Sequence, residues 1–202
     1  MAKTTITSKS SEPAFVSKID VKSNKDEGKT VSLVGGFVEL LYYESILQDS
    51  VKMDIVFTDT GNAIDKKSVL EGLPLVGTEE VNVAFEDNNE NKIKIKLYVN
   101  KVTPGIQETE RSITSISLVS EEFIRNELGS SKLNLRFDGK ISDHIKKILK
   151  KFLKSKKVKD KDIETTSNNY NFIGNRKKAF YTMNWLSKYA IPEKEGKPGD
   201  TA

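Results

Sequence analysis

Two runs of alternating residues meet in residues 79–102, EEVNVAFEDNNENKIKIKLYVNKV. In the second run, lysines stand between the apolar residues, so an extended strand has one apolar side and one charged side. The core-facing set is Ile93, Ile95, Leu97 and Val99, and the water-facing set is Lys92, Lys94 and Lys96. Asp87 to Asn91 are rich in turn-forming residues. The pattern predicts an antiparallel hairpin on which the neighbouring strands are built.

Further strands are predicted on both sides of this hairpin. β-branched and aromatic residues are concentrated in FVSKIDVKS (15–23), TVSLVGGFVELLYYESIL (30–47), VKMDIVF (51–57) and RSITSISLVS (111–120). Gly35-Gly36 indicates a bulge or bend, and DKKSVLEGL (65–73) predicts one short helix. We therefore expect an antiparallel β barrel or sandwich over residues 13–119.

The periodicity changes after residue 119. Ser120 is predicted to cap a helix that has acidic residues in its first turn. KLNLRFD (132–138) reads as a short strand, and 154–162 as an exposed connection. ISDHIKKILKKFLK (141–154) predicts an amphipathic helix with an apolar stripe formed by Ile141, Ile145, Ile148, Leu149 and Phe152. A final helix has a wide apolar face formed by Phe180, Met183 and Leu186 on one row and Tyr181, Trp185 and Tyr189 on the next.

The predicted fold class is therefore α+β: the β barrel or sandwich is followed by a smaller, helix-rich α/β region over residues 120–190. Residues 1–12 are expected to be a disordered arm and 191–202 a polar tail. No run approaches the roughly 18–20 apolar residues of a membrane helix, and MAKTTITSKSSEP has no apolar run resembling a secretory signal. We expect no membrane partner.

Composition argues against metal and cofactor chemistry. The chain has no cysteine and one histidine, so neither a thiolate site nor a histidine-rich site is expected. We read His144 as partly buried or on the surface and not catalytic, because spacing suggests no nucleophile or carboxylate beside it. Asn175, within the basic segment GNRKK (174–178), is expected to cap the helix that follows. No catalytic, cofactor-binding or metal-ligating residue is predicted.

A nucleic-acid-binding surface is one alternative. Residues 140–178 contain thirteen lysines and arginines against four acidic residues, a net charge of +9. Nearby rings, Tyr170, Phe172, Phe180 and Trp185, could stack on bases while the lysines hold phosphates. The aromatic residues nevertheless fall at helical spacing, which favours packing, and the lysines fall on the solvent face of an amphipathic helix.

An aspartic protease of the retropepsin type is a second, weaker alternative. Asp59-Thr60-Gly61 follows the apolar run Ile55-Val56-Phe57, as the catalytic carboxylate of such enzymes follows a strand. The competing interpretation is a tight turn that uses Asp and Gly after a strand. We expect no enzyme.

The order of five sequence segments gives a further indication of what the protein does. FVELLYYESILQDSVKMDIVFTDTGNAID, GLPLVGTEEVNVAF, YVNKVTPGIQETERSITSISLVSEEFIRNE, ISDHIKKILKKFL and NFIGNRKKAFYTMNWLSKYA occur in this order. Together they resemble the baseplate hub proteins of T4-like contractile-tailed bacteriophages, especially cyanophage and marine relatives. The resemblance extends from about residue 30 to residue 190.

The resemblance implies a structural role. Hub proteins of this family have a β tube domain first and a helical region after it, and they form homotrimers that join the tail tube to the central spike. It implies that this chain corresponds to the first tube domain and the start of the following domain. The implied partners are copies of the chain itself, the spike protein and tail-tube or other baseplate proteins. The implied location is the tail baseplate of the virion, with assembly in the host cytoplasm.

Overall fold

The computed structural model describes residues 14–25, 29–59, 69–73, 75–86, 91–107 and 112–193. The predicted arm at 1–12 and the greater part of the predicted tail at 191–202 lie outside these residues, as does most of the hairpin turn at 87–91. Contacts divide the chain into two compact units, Met1–Ser120 and Glu121–Ala202. The α+β fold class predicted from the sequence is confirmed.

The first unit is built on one antiparallel sheet. Its strands in chain order are β1 (Phe15–Lys22), β2 (Thr30–Ser32), β3 (Phe37–Tyr43), β4 (Lys52–Asp59), β5 (Glu80–Glu86), β6 (Lys92–Gln107) and β7 (Ser112–Val119). In space their order is β2-β1-β5-β6-β7-β4-β3. A short helix α1 (Val69–Gly72) lies within the predicted helical stretch. β2 and β3 are therefore the two edges of the sheet.

The predicted hairpin forms the middle of this sheet. β5 and β6 pair antiparallel from Glu80↔Tyr98 to Glu86↔Lys92. β6 continues well beyond the predicted hairpin and pairs with β7 along its second half, with bulges after Val99 and after Pro104. One strand thus connects both halves of the sheet, because bulges let it bend as it passes from β5 to β7.

Alternation along the strands produces one continuous core face. Side chains on that face are almost fully buried, whereas their neighbours along each strand are partly or fully exposed. The central strands supply Met53, Ile55, Phe57, Val81, Val83, Leu97, Val99, Ile116 and Leu118, and β1 adds Ile19 and Val21. This one-sided burial is the pattern expected of an antiparallel sheet with a single packed face.

The sheet is curled into a half-barrel. Tyr42 lies on edge strand β3 and Phe85 on β5, with three strands between them. At roughly 4.8 Å per strand, a flat sheet would separate these rings by about 19 Å. Their centroids are 5.6 Å apart. Burial, followed by the hydrogen bond that the phenol donates to Glu44, raises the pKa of Tyr42 to about 12.

A crossover bridges the open side of the half-barrel. A 3-10 turn at Val34–Gly36 joins β2 to β3 and contacts β1 and β4 on the way. The Leu33 amide donates to the carbonyl of Ile19 at 2.8 Å. At Gly36 the backbone passes so close to β4 that a Cβ atom would overlap the carbonyl oxygen of Thr58. In the predicted Gly35-Gly36 bend, close packing therefore requires glycine at position 36.

We expect Gly36→Ala to lower the free energy of unfolding of the first unit by about 1–3 kcal/mol, because the added methyl must displace backbone. Gly35→Ala is the matched control: its Cβ would meet nothing within 4 Å, and we expect a change within about 0.5 kcal/mol. Far-UV circular dichroism during chemical denaturation measures the effect. Fluorescence of the single tryptophan, Trp185 in the second unit, should be unchanged. Equal effects of the two substitutions would contradict the close approach.

The second unit packs three α-helices around a small sheet. The helices are α2 (Glu121–Glu127), α3 (Ile141–Lys147) and α4 (Ala179–Ser187), and the sheet pairs β8 (Arg136–Phe137) with β9 (Phe172–Ile173). Its core comprises Leu133, Phe137, Ile141, Ile148, Phe152, Leu153, Ala179, Phe180 and Leu186. In the described ranges, no helix combines the length and apolar character required to cross a membrane.

The predicted amphipathic stripe is confirmed, although the helix is not α-helical throughout. Ile141, Ile148 and Phe152 are buried, and Ile145 and Leu149 pack against the same core. After Lys147 the chain forms a π-helical turn, Ile148–Phe152. Ile191 to Glu193, expected in the polar tail, pair with residues 165–168 through backbone hydrogen bonds such as that of the Glu193 amide to the carbonyl of Thr165 at 2.9 Å.

Candidate functional site

Asp59 is the last residue of β4 and points into the core of the first unit. Its side chain is 3% exposed, and its carboxylate accepts a hydrogen bond from the backbone amide of Val69, the first residue of α1. Thr60 and Gly61 lie outside the described residues. The carboxylate thus ties the end of a strand to the start of a helix, which is a structural role. A protease carboxylate must instead face its substrate.

Substitution of Asp59 separates the two roles. Asp59→Ala leaves a buried amide without this acceptor, so we expect the free energy of unfolding to fall by about 1–3 kcal/mol. Asp59→Asn keeps a carbonyl acceptor in the same place and should lose less. Chemical denaturation of both variants measures the difference. Peptide cleavage by the wild type that disappears in a fully stable Asp59→Asn variant would contradict the structural role.

Glu79 is a second buried carboxylate with a structural role. Its side chain is fully enclosed and accepts hydrogen bonds from the amides of Val76 at 2.8 Å and Gly77 at 3.0 Å. These bonds stabilise a tight turn in which Gly77 and Thr78 both have positive φ angles. Among the described residues, no group of three or more histidine, cysteine, aspartate or glutamate side chains could hold a metal ion.

His144 lies inside the second unit, which corrects the prediction that it is partly buried or on the surface. It is 3% exposed, and its ring stands edge-on to Phe137 and Phe172, with centroids 5.5 Å away in both cases. Its Nε2 atom lies 2.8 Å from the carbonyl oxygen of Tyr170. Phe137 on β8 and Phe172 on β9 stack on each other with centroids 4.7 Å apart, and α3 places the imidazole against this pair. The imidazole therefore packs in the core while its Nε2 atom has a polar partner.

Of the four rings proposed as base-stacking platforms, three contact one another and the fourth is buried. Trp185 contacts Tyr170 and Phe172, with centroid distances of 5.2 and 5.5 Å, and Phe180 is buried in the core. A base can stack only on a ring face that is free. The structure therefore supports the interpretation of the aromatic face of α4 as packing.

The basic surface of residues 140–178 is exposed to solvent, and ion pairs neutralise part of its charge. Lys150 pairs with Asp160 at 2.6 Å, and Lys140 pairs with Glu193 at 3.0 Å. The hydrogen bond from Lys150 is the main reason that the pKa of Asp160 is lowered. An open cleft of about 520 Å³ beside this segment is lined by Lys146, Asp160, Lys161, Asp162, Ile163, Glu164, Thr165 and Glu193. Both signs of charge line this cleft, so it has no preference for phosphate.

A tight turn corrects the prediction that Asn175 caps the last helix. The Lys177 amide donates to the carbonyl of Gly174 at 2.9 Å, and the two central residues, Asn175 and Arg176, have φ angles of 46° and 55°. Positive φ at both positions is typical of a type I′ turn. The cap position of α4 belongs to Lys178, which makes no side-chain capping bond. Asparagine tolerates the left-handed region, which explains its place here.

Exposed apolar side chains distinguish edge strand β3 and the turn after it. Val38, Leu41 and Tyr43 are exposed on β3. In the turn Ser45–Gln48, Ile46 is 100% exposed and Leu47 91%. Sequence patterning predicted strands in residues 30–47 but did not identify this exposed surface. The run of four nonalternating apolar residues at 40–43 was the available signal that both faces of β3 are apolar.

Comparison with known proteins shows the fold. No protein-family model and no curated protein sequence matches the chain. Among solved structures, the chain is similar to a 43 kDa tail protein of prophage MuSo2 from Shewanella oneidensis, with a TM-score of 0.55 and 16% identity over 85% of this chain and 48% of that one. It is also similar to a tail protein from Neisseria meningitidis MC58, with a TM-score of 0.53 and 13% identity over 88% of this chain and 45% of that one.

The chain therefore spans slightly less than half the length of these two solved structures and shares its fold with that part of each tail protein.

Proposed function

We propose that the chain is a non-enzymatic structural protein of a contractile phage tail, a hub that joins the tail tube to the central spike as a homotrimer. The edge strand β3, with its exposed apolar side chains, carries this proposal. The fold likeness to two phage tail proteins and the succession of hub-like sequence phrases support it. The carboxylates with special environments, Asp59 and Glu79, are used to hold turns and helix starts.

Edge strand β3 is suited to assembly. It has seven residues and, among the residues that the structure describes, it pairs only with β4. A long edge with apolar side chains invites pairing with another chain, and isolated proteins normally protect such edges. Leu41 and Tyr43 lie on the face opposite the core, beside Asp54 and Lys52 of β4. A tail protein would cover this edge in the complete particle, where it meets a copy of itself or a tube protein.

Light scattering of the purified chain, alone and mixed with its candidate tail-tube and spike proteins, tests the proposal. We expect either a mass of three 22.7-kDa chains or a defined complex with tube or spike. Leu41→Lys should weaken that association about tenfold or more, because it places a charge on the covered edge. Val76→Lys is the matched control, because Val76 is also exposed in the first unit but lies outside the strands.

A chain that stays monomeric and binds neither the tail-tube protein nor the spike protein would contradict the proposed hub function. Binding of duplex DNA by residues 140–178, falling steeply with salt, would then favour the nucleic-acid alternative.

A further inference from the structure

We propose that copies of this chain associate head to tail, with the turn Ser45–Gln48 of one copy docked on a basic patch of the second unit of the next. The basic patch consists of Leu128, Lys132, Arg176, Lys177 and Tyr181. The inference rests on the proposed function only in requiring that copies of the chain associate. The two surfaces in contact are the turn and the basic patch, and neither includes edge strand β3.

The turn presents two aliphatic side chains to solvent in a fixed geometry. The Gln48 amide donates to the carbonyl of Ser45 at 3.1 Å, and the Leu47 amide donates to the Ser45 hydroxyl at 3.2 Å. Ile46 and Leu47 contribute nothing to the core of their own unit, since both are almost completely exposed. Two adjacent large apolar residues at an ordered turn are suited to insertion into an apolar depression of a partner.

The residues of the basic patch lie on backbone segments that contact one another. The Lys177 ammonium lies 5.5 Å from the centroid of the Tyr181 ring, and the backbones of Lys177 and Leu133, the residue after Lys132, form an antiparallel bridge. The Ser131 amide donates to the carbonyl of Leu128 at 3.1 Å. Tyr181 is 59% exposed and Leu128 47%, so the patch has apolar surface among its cations. Lys132, Arg176 and Lys177 form no ion pair with any residue that the structure describes.

Charge complementarity selects a second copy as the occupant. Glu44 and Asp49 flank the apolar turn, so its partner needs an apolar floor with a cationic rim. The basic patch has that composition. By sequence, the first unit has fourteen basic and eighteen acidic residues, and the second unit nineteen and eleven. The first unit therefore attracts the second unit of a neighbour, whereas the acidic flanks of the turn oppose nucleic acid and anionic membranes.

Arg176 supports a binding role for the patch. Its φ angle of 55° lies in the left-handed region, where glycine or asparagine folds at lower cost than a long side chain. Among the described residues, its side chain makes no hydrogen bond, ion pair or ring contact that would offset this cost. A residue that departs from local backbone preference on an exposed turn is expected to serve a contact outside its own unit.

Sedimentation equilibrium of the full chain provides the test. We expect the wild type to self-associate, and Ile46→Ser/Leu47→Ser and Arg176→Gly/Lys177→Glu each to raise the dissociation constant about tenfold or more. A mixture of the two variants should form a one-to-one dimer, because one intact turn and one intact patch remain. Arg176→Gly alone should weaken association without lowering thermal stability, which separates lost contact from misfolding.

Matched controls are Val76→Ser on the first unit and Lys156→Glu/Lys157→Glu on the second, which should associate like the wild type. The contact would be overturned by a monomeric wild type, by turn or patch variants that associate normally, or by a mixture of those two variants that stays monomeric. Monomers that still bind tube or spike would refute this contact and leave the hub standing. Self-association through turn and patch into a species other than a trimer, without any binding to tube or spike, would support this contact and refute the hub.

Discussion

The close approach of Gly36 to the backbone of Thr58 is the constraint on which the first unit depends. At this point the chain leaves β2 at one edge of the sheet and reaches β4, beside which it runs as β3 at the other edge. Only a residue without a side chain allows the two backbones to pass at this distance. The crossover in turn lets Tyr42 meet Phe85 across the core face, so the sheet closes over its apolar residues instead of lying flat.

The side chains that could have served in catalysis instead stabilise the fold. Asp59 fixes the start of a helix, Glu79 fixes a tight turn, and His144 packs against two stacked rings. Among the described residues, the surfaces open to a partner include an edge strand, an apolar turn with acidic flanks and a basic patch built on a strained turn. The proposed role in assembly depends on such complementary surfaces.

Local patterns predicted the parts of the fold that depend on local periodicity. The alternation around Ile95 fixed the hairpin, and the spacing from Ile141 to Phe152 fixed the apolar stripe. Features that depend on distant packing could not be predicted in this way. The passage of β6 from β5 to β7, the contact between Tyr42 and Phe85 and the burial of His144 all join residues far apart in sequence. Asn175 was assigned to a helix cap because asparagine favours caps and left-handed turns alike.

Nuclear Overhauser spectroscopy of the ring protons of Tyr42 and Phe85 tests most directly whether the sheet closes in this way. The two strands are not neighbours in the sheet, so a contact between these rings can arise only if the sheet curls. Centroids 5.6 Å apart predict strong cross-peaks between the rings in the wild type, which Gly36→Ala weakens and Gly35→Ala leaves unchanged. Absence of these cross-peaks in a folded wild type would show an open sheet and contradict the half-barrel.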